Sequence, residues 1–264
     1  MITSETNAQM KELVKLQKNA RHRRKTGCFV AEGIKITKEA ARYGMLERLY
    51  ISERLFEQME RKLPGQLQQA ACEVVADNVF AQISETVTPQ GMLGVVRMPK
   101  YTLEQILEDD RQCFLLLDDL RDPGNLGTIL RTSEGAGMSG VIFSRESVDL
   151  FNPKVVRATM GAIFRVPYVY VEDLPETIRF MRQKGIGVYG TLMEGSRIYD
   201  TVDYTKPSGI VVGNEANGIS APVIDALTGR IRIPMQGKLE SLNAAVAAAV
   251  VMYEAARQRR PHEV

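Results

Sequence analysis

The sequence predicts an α/β protein, with a C-terminal parallel-sheet domain preceded by a smaller N-terminal α/β domain. Three observations carry this expectation. Strand-like and helix-like segments alternate along most of the chain, the pattern of stacked βα units. Several strand-like runs, such as FLLL (114–117) and IVV (210–212), are apolar without interruption, which suits strands covered on both faces of a parallel sheet. Between residues 99 and 111 the alternation lapses into a linker led by Pro99 and acidic around Glu108 and Asp110. A boundary near residue 105 leaves units 1–105 and 106–264, both of ordinary domain size.

In the first unit, residues 5–20 have helical spacing, with Met10, Leu13, Val14 and Leu16 as a partial apolar stripe. A strand is expected over 28–31 and a helix over 33–43, ended by Gly44. Then come a strand over 46–51 and a helix to about 63, where Pro64 and Gly65 break it. A strand over 72–76, a short helix over 78–84 and a strand over 92–98 complete the unit. In the second unit, strands are expected over 113–117, 141–144, 166–171, 187–192, 209–213 and 230–234. Helices fall over 126–136, 153–162, 174–184, 221–227 and 242–257. No internal repeat or low-complexity tract interrupts this order.

Composition narrows the function classes. Of 264 residues, 44% are hydrophobic and 25% charged, ordinary for a globular protein with its own core. Cys28, Cys72 and Cys113 lie far apart without metal-ligand spacing, which fits a reduced, cytoplasmic setting better than a disulfide framework. His22 and His262 are the two histidines; they give a Ser-His-Asp or histidine–metal mechanism little material, so no metal is expected. No apolar run reaches the roughly 18 residues a membrane span needs, and the first ten residues lack a signal-peptide core. No membrane association is expected. The net charge of +2 says little about partners, but its distribution says more. Lys11, Lys15, Lys18, Arg21, Arg23, Arg24 and Lys25 are opposed by Glu12 alone. Such a cluster contacts phosphate or forms a solvated helix face, and both readings stay open.

Open parallel sheets bind ligands beyond the carboxyl ends of their strands, so the loops that follow strands matter most. After FLLL the chain reads Asp118-Asp119-Leu120-Arg121-Asp122-Pro123-Gly124-Asn125 and on to Arg131. Asn125 is a candidate helix cap, and an Asn and an Arg near a helix start are candidates to face a pocket. After IVV comes Gly213-Asn214-Glu215-Ala216-Asn217-Gly218. Gly213 permits close approach to the backbone and Gly218 a positive φ, yet the pattern is neither a Walker loop nor GxGxxG. Glu215, just past a buried strand, needs a donor or water. After IRIP (231–234) the chain runs through Ser241, Leu242 and Asn243 into an alanine-rich helix, for which Ser241 is a candidate cap.

Taken together, N-x-G-x-x-x-R (125–131), V-G-N-E-x-x-G (212–218) and I-P-M-x-x-x-x-x-S-L-N-x-x-x-A (233–247) resemble the three motifs of the SpoU (TrmH-like) family of RNA ribose 2′-O-methyltransferases, of the SPOUT superfamily. The resemblance spans about residues 112–258. A softer one, resting on R-x-x-x-G-x-F-V-A-E-G (23–33), links the first unit to the ribosomal-protein-like substrate-binding domain of many members. The resemblance implies a deep trefoil knot, a homodimer with cofactor sites near the subunit interface, and S-adenosylmethionine (AdoMet) bound in the bent pose of the knotted class. It implies cofactor contacts at Thr191, Gly213, Ile233 and Leu242, and catalytic roles for Asn125, Arg131, Glu215, Ser241 and Asn243. Within it, Arg131 either abstracts the ribose proton or, as suits a donor-only cation, anchors phosphate and ribose while Glu215 orients it or binds substrate. Arg21, Arg23, Arg24 and Lys25 are the expected RNA contacts. Ribosomal RNA of the large subunit is the expected substrate, with tRNA or a non-catalytic RNA-binding role as the alternatives.

Overall fold

The protein is described here from a computed structural model covering residues 1–193 and 195–260; His262 lies outside the described residues. The chain begins with α1 (Ala8–Lys18), α2 (Ala20–Thr26), β1 (Cys28–Glu32), α3 (Ile34–Arg42), β2 (Leu46–Ser52), α4 (Glu53–Gln58), β3 (Ala71–Val75), α5 (Asp77–Ile83) and β4 (Met92–Arg97). There follow α6 (Leu103–Leu107), β5 (Cys113–Leu117), α7 (Pro123–Gly135), β6 (Gly140–Ser144) and α8 (Pro153–Ala158). The remainder is β7 (Tyr168–Val171), α9 (Leu174–Gln183), β8 (Gly187–Thr191), β9 (Arg197–Ile198), β10 (Ser208–Val212), α10 (Ala221–Ala226), β11 (Gly229–Arg232) and α11 (Ala244–Arg259). Two compact units form: Met1–Pro99 with Asp149–Phe164, and Lys100–Val148 with Arg165–Val264.

The first unit is built on a sheet of order β1-β4-β2-β3, antiparallel except for the parallel pair β2 and β3. The stripe on α1 does what its spacing predicts: Met10, Leu13 and Leu16 are buried against Val30, Tyr50 and Leu93, with Val14 half-buried beside them. Strand β1 is buried along its whole length although it is an edge. Helix α8 packs on it, and Phe29 meets the rings of Phe151 and Phe164 at 4.8 and 6.3 Å. The stretch 149–164 thus belongs with this unit and shields an edge that would otherwise be open to strand pairing.

Several boundaries differ from expectation for local reasons. The helix expected over 5–20 ends at Lys18, because Asn19 is extended and its side chain accepts from the His22 N–H, starting α2. The basic cluster is therefore split, with Lys11, Lys15 and Lys18 on α1 and Arg21, Arg23, Arg24 and Lys25 on the short helix α2. The helix expected to reach 63 stops at Gln58, since Glu60 and Arg61 take φ of 53° and 57°. The linker contains α6, started by a reciprocal Thr102–Gln105 cap. The helix expected over 153–162 ends at Ala158, ahead of Met160 at φ 51°.

The second unit carries a seven-stranded sheet of order β7-β6-β5-β10-β8-β11-β9, with every pair parallel. Strands β5, β6 and β10 are buried at every residue, as their uninterrupted apolar runs require. Phe114, Leu116, Ile142, Val188 and Val211 pack with Ile178 and Met181 of α9 and Val223 of α10, while α11 packs on α7 and on β10. From β5 the chain runs outward through β6 to β7; later β10 returns to lie between β5 and β8. The loops after β5, β10, β8 and β11 therefore meet at a reversal of strand order, the place where such sheets form ligand crevices.

Candidate active site

The loop after β10 is closed on itself. The N–H of Asn214 donates to the carbonyl of Gly218 and the N–H of Gly218 to that of Asn214, both at 2.9 Å, and the Asn214 side chain accepts from the N–H groups of Ala216 and Asn217. A Cβ at Gly213 would lie 2.2 Å from the Gly218 carbonyl carbon. Gly213 is thus demanded by its own loop's backbone. Gly218 takes φ 69°, as expected of it. The ring is tied to the loop after β5 by the Asn214 amide, which donates to the Asp119 carbonyl at 2.8 Å, and by buried Asp118, which accepts from the Ser220 N–H at 2.7 Å.

Glu215 projects from this ring into the loop after β5. Its carboxylate accepts from the N–H groups of Arg121 (3.1 Å) and Asp122 (3.0 Å) and from the Asn125 amide (2.9 Å). With its Nδ2 so committed, Asn125 turns its oxygen to the Asn243 amide at 3.0 Å. Asn243 in turn accepts from the Ala245 N–H with its own oxygen and caps α11. The three loops are joined by one directional chain, Glu215–Asn125–Asn243, in which each amide's orientation is fixed by the last. Partial burial would raise the Glu215 pKa, but the hydrogen bonds from Asn125 and from the backbone at Arg121 and Asp122 outweigh it and hold the carboxyl below its usual range.

Two caps differ from expectation. Helix α7 begins at Pro123, capped by Asp122, whose carboxylate accepts from the Asn125 N–H at 2.7 Å. Asn125 is freed from capping to join the chain just described. Helix α11 is capped by Asn243, two residues after Ser241. Asp122 was legible as a cap, because Asp before a helix-starting Pro is a start signal; Asp118 and Asn214 carried no separate signal in the sequence.

A cavity of about 570 Å³ opens at the carboxyl ends of β10, β8 and β11, within the range of small-molecule sites. Its wall contains Thr191, Gly213, Ile233 and Leu242, together with Glu215, Ser241 and Asn243. The remainder is mixed, with apolar Leu192, Ile231 and Met235 beside charged Arg232 and Glu240. The Thr191 hydroxyl donates to the Val211 carbonyl at 3.1 Å. Apolar side chains beside the glycines Gly213 and Gly218 suit a flat adenine, and the Glu215 carboxylate in the wall suits a sulfonium cation. The residues present therefore fit AdoMet.

Arg131 is not part of this cavity. Six residues after Asn125, it lies about 240° further round α7, on an exposed stripe with Thr128 and Gly135, and among the described residues it has no hydrogen-bond or ion-pair partner. It does not touch Glu215. In the first unit Arg21, Arg24 and Lys25 are exposed, as are Lys11, Lys15 and Lys18. Arg23 is different: its side chain is buried, pairs with Asp149 at 2.5 Å, and donates to the carbonyls of Leu16 and Gln17 at 2.7 Å. It is unavailable to phosphate, which corrects its expected role as an RNA contact. The Cys28 thiol is no candidate nucleophile, since burial and the Glu47 carboxylate push it up to about 11.

Comparison with known proteins agrees with this geometry. Residues 112–253 match the SpoU rRNA Methylase family and residues 7–94 the MRM3-like substrate binding domain. The chain is 32% identical over 254 residues to the 23S rRNA (guanosine(2553)-2′-O)-methyltransferase RlmP of Bacillus subtilis, covering 96% of this chain and 97% of that one. An AdoMet-bound rRNA methyltransferase from Sinorhizobium meliloti superposes with a TM-score of 0.85 at 34% identity over 97% of each chain. The SpoU methyltransferase AviRb from Streptomyces viridochromogenes, in complex with AdoMet, gives a TM-score of 0.85 at 28% identity, covering 96% of this chain and 98% of that one. With nearly its whole length matched in this way, the chain belongs to the SpoU rRNA methylase family.

Proposed function

We propose that this protein transfers a methyl group from AdoMet to a ribose 2′-oxygen in RNA, with large-subunit ribosomal RNA as substrate. The observation that carries the reading is the Glu215–Asn125–Asn243 chain, which holds three loops around one cavity of the right size and chemistry. When bound there, AdoMet supplies an electrophilic methyl on a sulfonium. Thr191, Gly213, Ile233 and Leu242 hold the cofactor, largely through main-chain groups, and Ser241 and Asn243 bound its space. Glu215 and Asn125 act by positioning, since their polar atoms are engaged with each other and with the loops. Arg131 offers a guanidinium that has no partner among the described residues, and a guanidinium is a donor-only cation rather than a base. It anchors the RNA phosphate and lowers the cost of developing negative charge on the ribose oxygen, whose proton leaves to water as the methyl passes from sulfur to oxygen and the thioether departs.

The reading includes a homodimer. On α11, Val246 and Tyr253 lie one above the other and are 49% and 47% exposed. Gly135 of α7 approaches the Tyr253 hydroxyl, so these residues border the stripe that carries Arg131. A second copy covering this face would bring Arg131 to a ribose held across the interface. The reading also includes the knotted path, supported by the return of β10 to the middle of the sheet after β9 has formed its far edge. On the first unit, exposed Arg21, Arg24 and Lys25 grip RNA phosphates.

The decisive experiment is transfer of labelled methyl from AdoMet to purified ribosomal RNA and tRNA, followed by mapping of the modified ribose. A 2′-O-methyl in 23S rRNA is expected. Label confined to tRNA would move the substrate, and label on neither, with no cofactor-induced thermal shift, would leave a non-catalytic RNA binder.

A further inference from the structure

Helix α11 is gripped by polar side chains at both ends and is smooth over its first half. At its start Asn243 caps it and holds Asn125. At its end two consecutive residues take hold of distant main chain. The Gln258 side chain accepts from the Tyr204 N–H at 2.8 Å and donates to the Val202 carbonyl at 3.0 Å. The Arg259 guanidinium donates to the carbonyls of Tyr204 (2.5 Å), Lys206 (2.7 Å), Gln112 (3.4 Å) and Arg111.

Those carbonyls mark a particular place. Arg111 and Gln112 lead into β5, and Tyr204 and Lys206 lead into β10. The far ends of the same two strands carry Asp118–Asn125 and Gly213–Ser220, the loops that Glu215 and Asn125 tie together. Helix α11 therefore runs the length of this strand pair, helping to close the cavity at one end and clamped at the other. Between these points its buried face is low at first, at Ala245 and Ala248, and larger side chains enter only with Val251 and Met252. Ala244, Ala245, Ala247, Ala248 and Ala249 fill its first half, and small side chains make low ridges that define axial position weakly.

We propose that Arg259, assisted by Gln258, is a positioning residue. It fixes α11 along its axis and so sets Asn243 in the wall of the cavity, about 24 Å away along the helix. Arg259 does not line the cavity itself. This inference rests on the reading of the cavity as the AdoMet site.

The test is calorimetric titration of the full chain with AdoMet, at a temperature where thermal melts show each variant folded. Arg259→Ala is expected to weaken AdoMet about tenfold, as remote misplacement of a site group does, and Arg259→Lys to recover part of that loss. Asn243→Ala is expected to weaken AdoMet on its own. In the Asn243→Ala background, adding Arg259→Ala should cost less than about twofold, whereas uncoupled residues so far apart would add in full. Wild-type AdoMet affinity in Arg259→Ala, whatever its melting temperature, overturns the proposal, and so does full additivity. Should Arg259→Ala fail to fold, wild-type affinity in both Arg259→Lys and Gln258→Ala overturns it instead. Wild-type affinity in Asn243→Ala removes the cavity assignment and the anchor with it; a loss there with none in Arg259→Ala removes the anchor alone.

Discussion

At the scale of single residues, the site depends on which atoms are already engaged. Arg131 has no partner among the described residues and stands exposed on α7, so Arg131→Ala should leave AdoMet affinity within about twofold. Single-turnover methyl transfer should fall by about a hundredfold or more, the usual cost of losing a charge-stabilising donor. Glu215 is the reverse case, with both oxygens engaged by three donors. Glu215→Gln would set an amide N–H against one of them, and AdoMet affinity should drop. Because the folded pKa of Glu215 is depressed, the carboxylate's contribution is complete above its ordinary value of 4.5 and is lost as pH falls through the lower folded value. The affinity difference between wild type and Glu215→Gln should hold constant through neutral pH and close in acid; a gap that persists there would refute the assignment. Tyr204 is fully buried and its hydroxyl has no hydrogen-bond partner among the described residues. Tyr204→Phe removes that unsatisfied group and should raise stability by about 1 kcal/mol, read as a higher melting temperature.

At the scale of elements, the basic segment divides by burial. Helix α2 turns Arg23 inward, where its guanidinium serves Asp149 and two carbonyls at the end of α1. Arg23→Ala leaves Asp149 as a partly buried carboxylate without its partner, a loss of about 3 kcal/mol, and should lower the melting temperature. Arg21, Arg24 and Lys25 face outward. Their combined replacement by Ala should leave the melting temperature unchanged, weaken RNA binding and flatten its salt dependence by roughly 0.7–0.9 per lost phosphate contact. A melting profile that moves with the outward set, or an unchanged salt slope, would refute the division. Helix caps show the same sorting: Asp122 and Asn243 start α7 and α11, leaving Asn125 and Ser241 free of the backbone work that their position near a helix start suggested.

At the scale of the molecule, function is spread over segments distant in sequence. The cavity draws on the ends of β8, β10 and β11, and the chain that stiffens it reaches back to the loop after β5. The exposed face of α7 and α11 is the surface assigned to a second copy. Val246→Asp with Tyr253→Arg should convert a dimer to a monomer in sedimentation and abolish methyl transfer. AdoMet binding should survive, because neither residue lines the cavity. A wild-type sedimentation profile that is already monomeric at working concentration would reject the interface.

The strand–helix alternation and the parallel character of the second sheet are legible in the residues alone, because uninterrupted apolar runs such as FLLL and IVV leave a strand no solvated face. The sequence also located the loops of the site; the family resemblance pointed to Thr191, Gly213, Ile233 and Leu242, of which the last three sit in its motifs and Thr191 closes a strand, and all four line the cavity. That Arg23 turns inward, that Asn125 accepts from Asn243, and that Glu215 serves the loop after β5 while Arg131 stands apart emerges with the folded arrangement. Those outcomes turn on which donor meets which acceptor across about 90 residues or more of chain. Local propensity does not encode that pairing; it is fixed when the sheet brings the loops together and buried or part-buried polar groups must find partners.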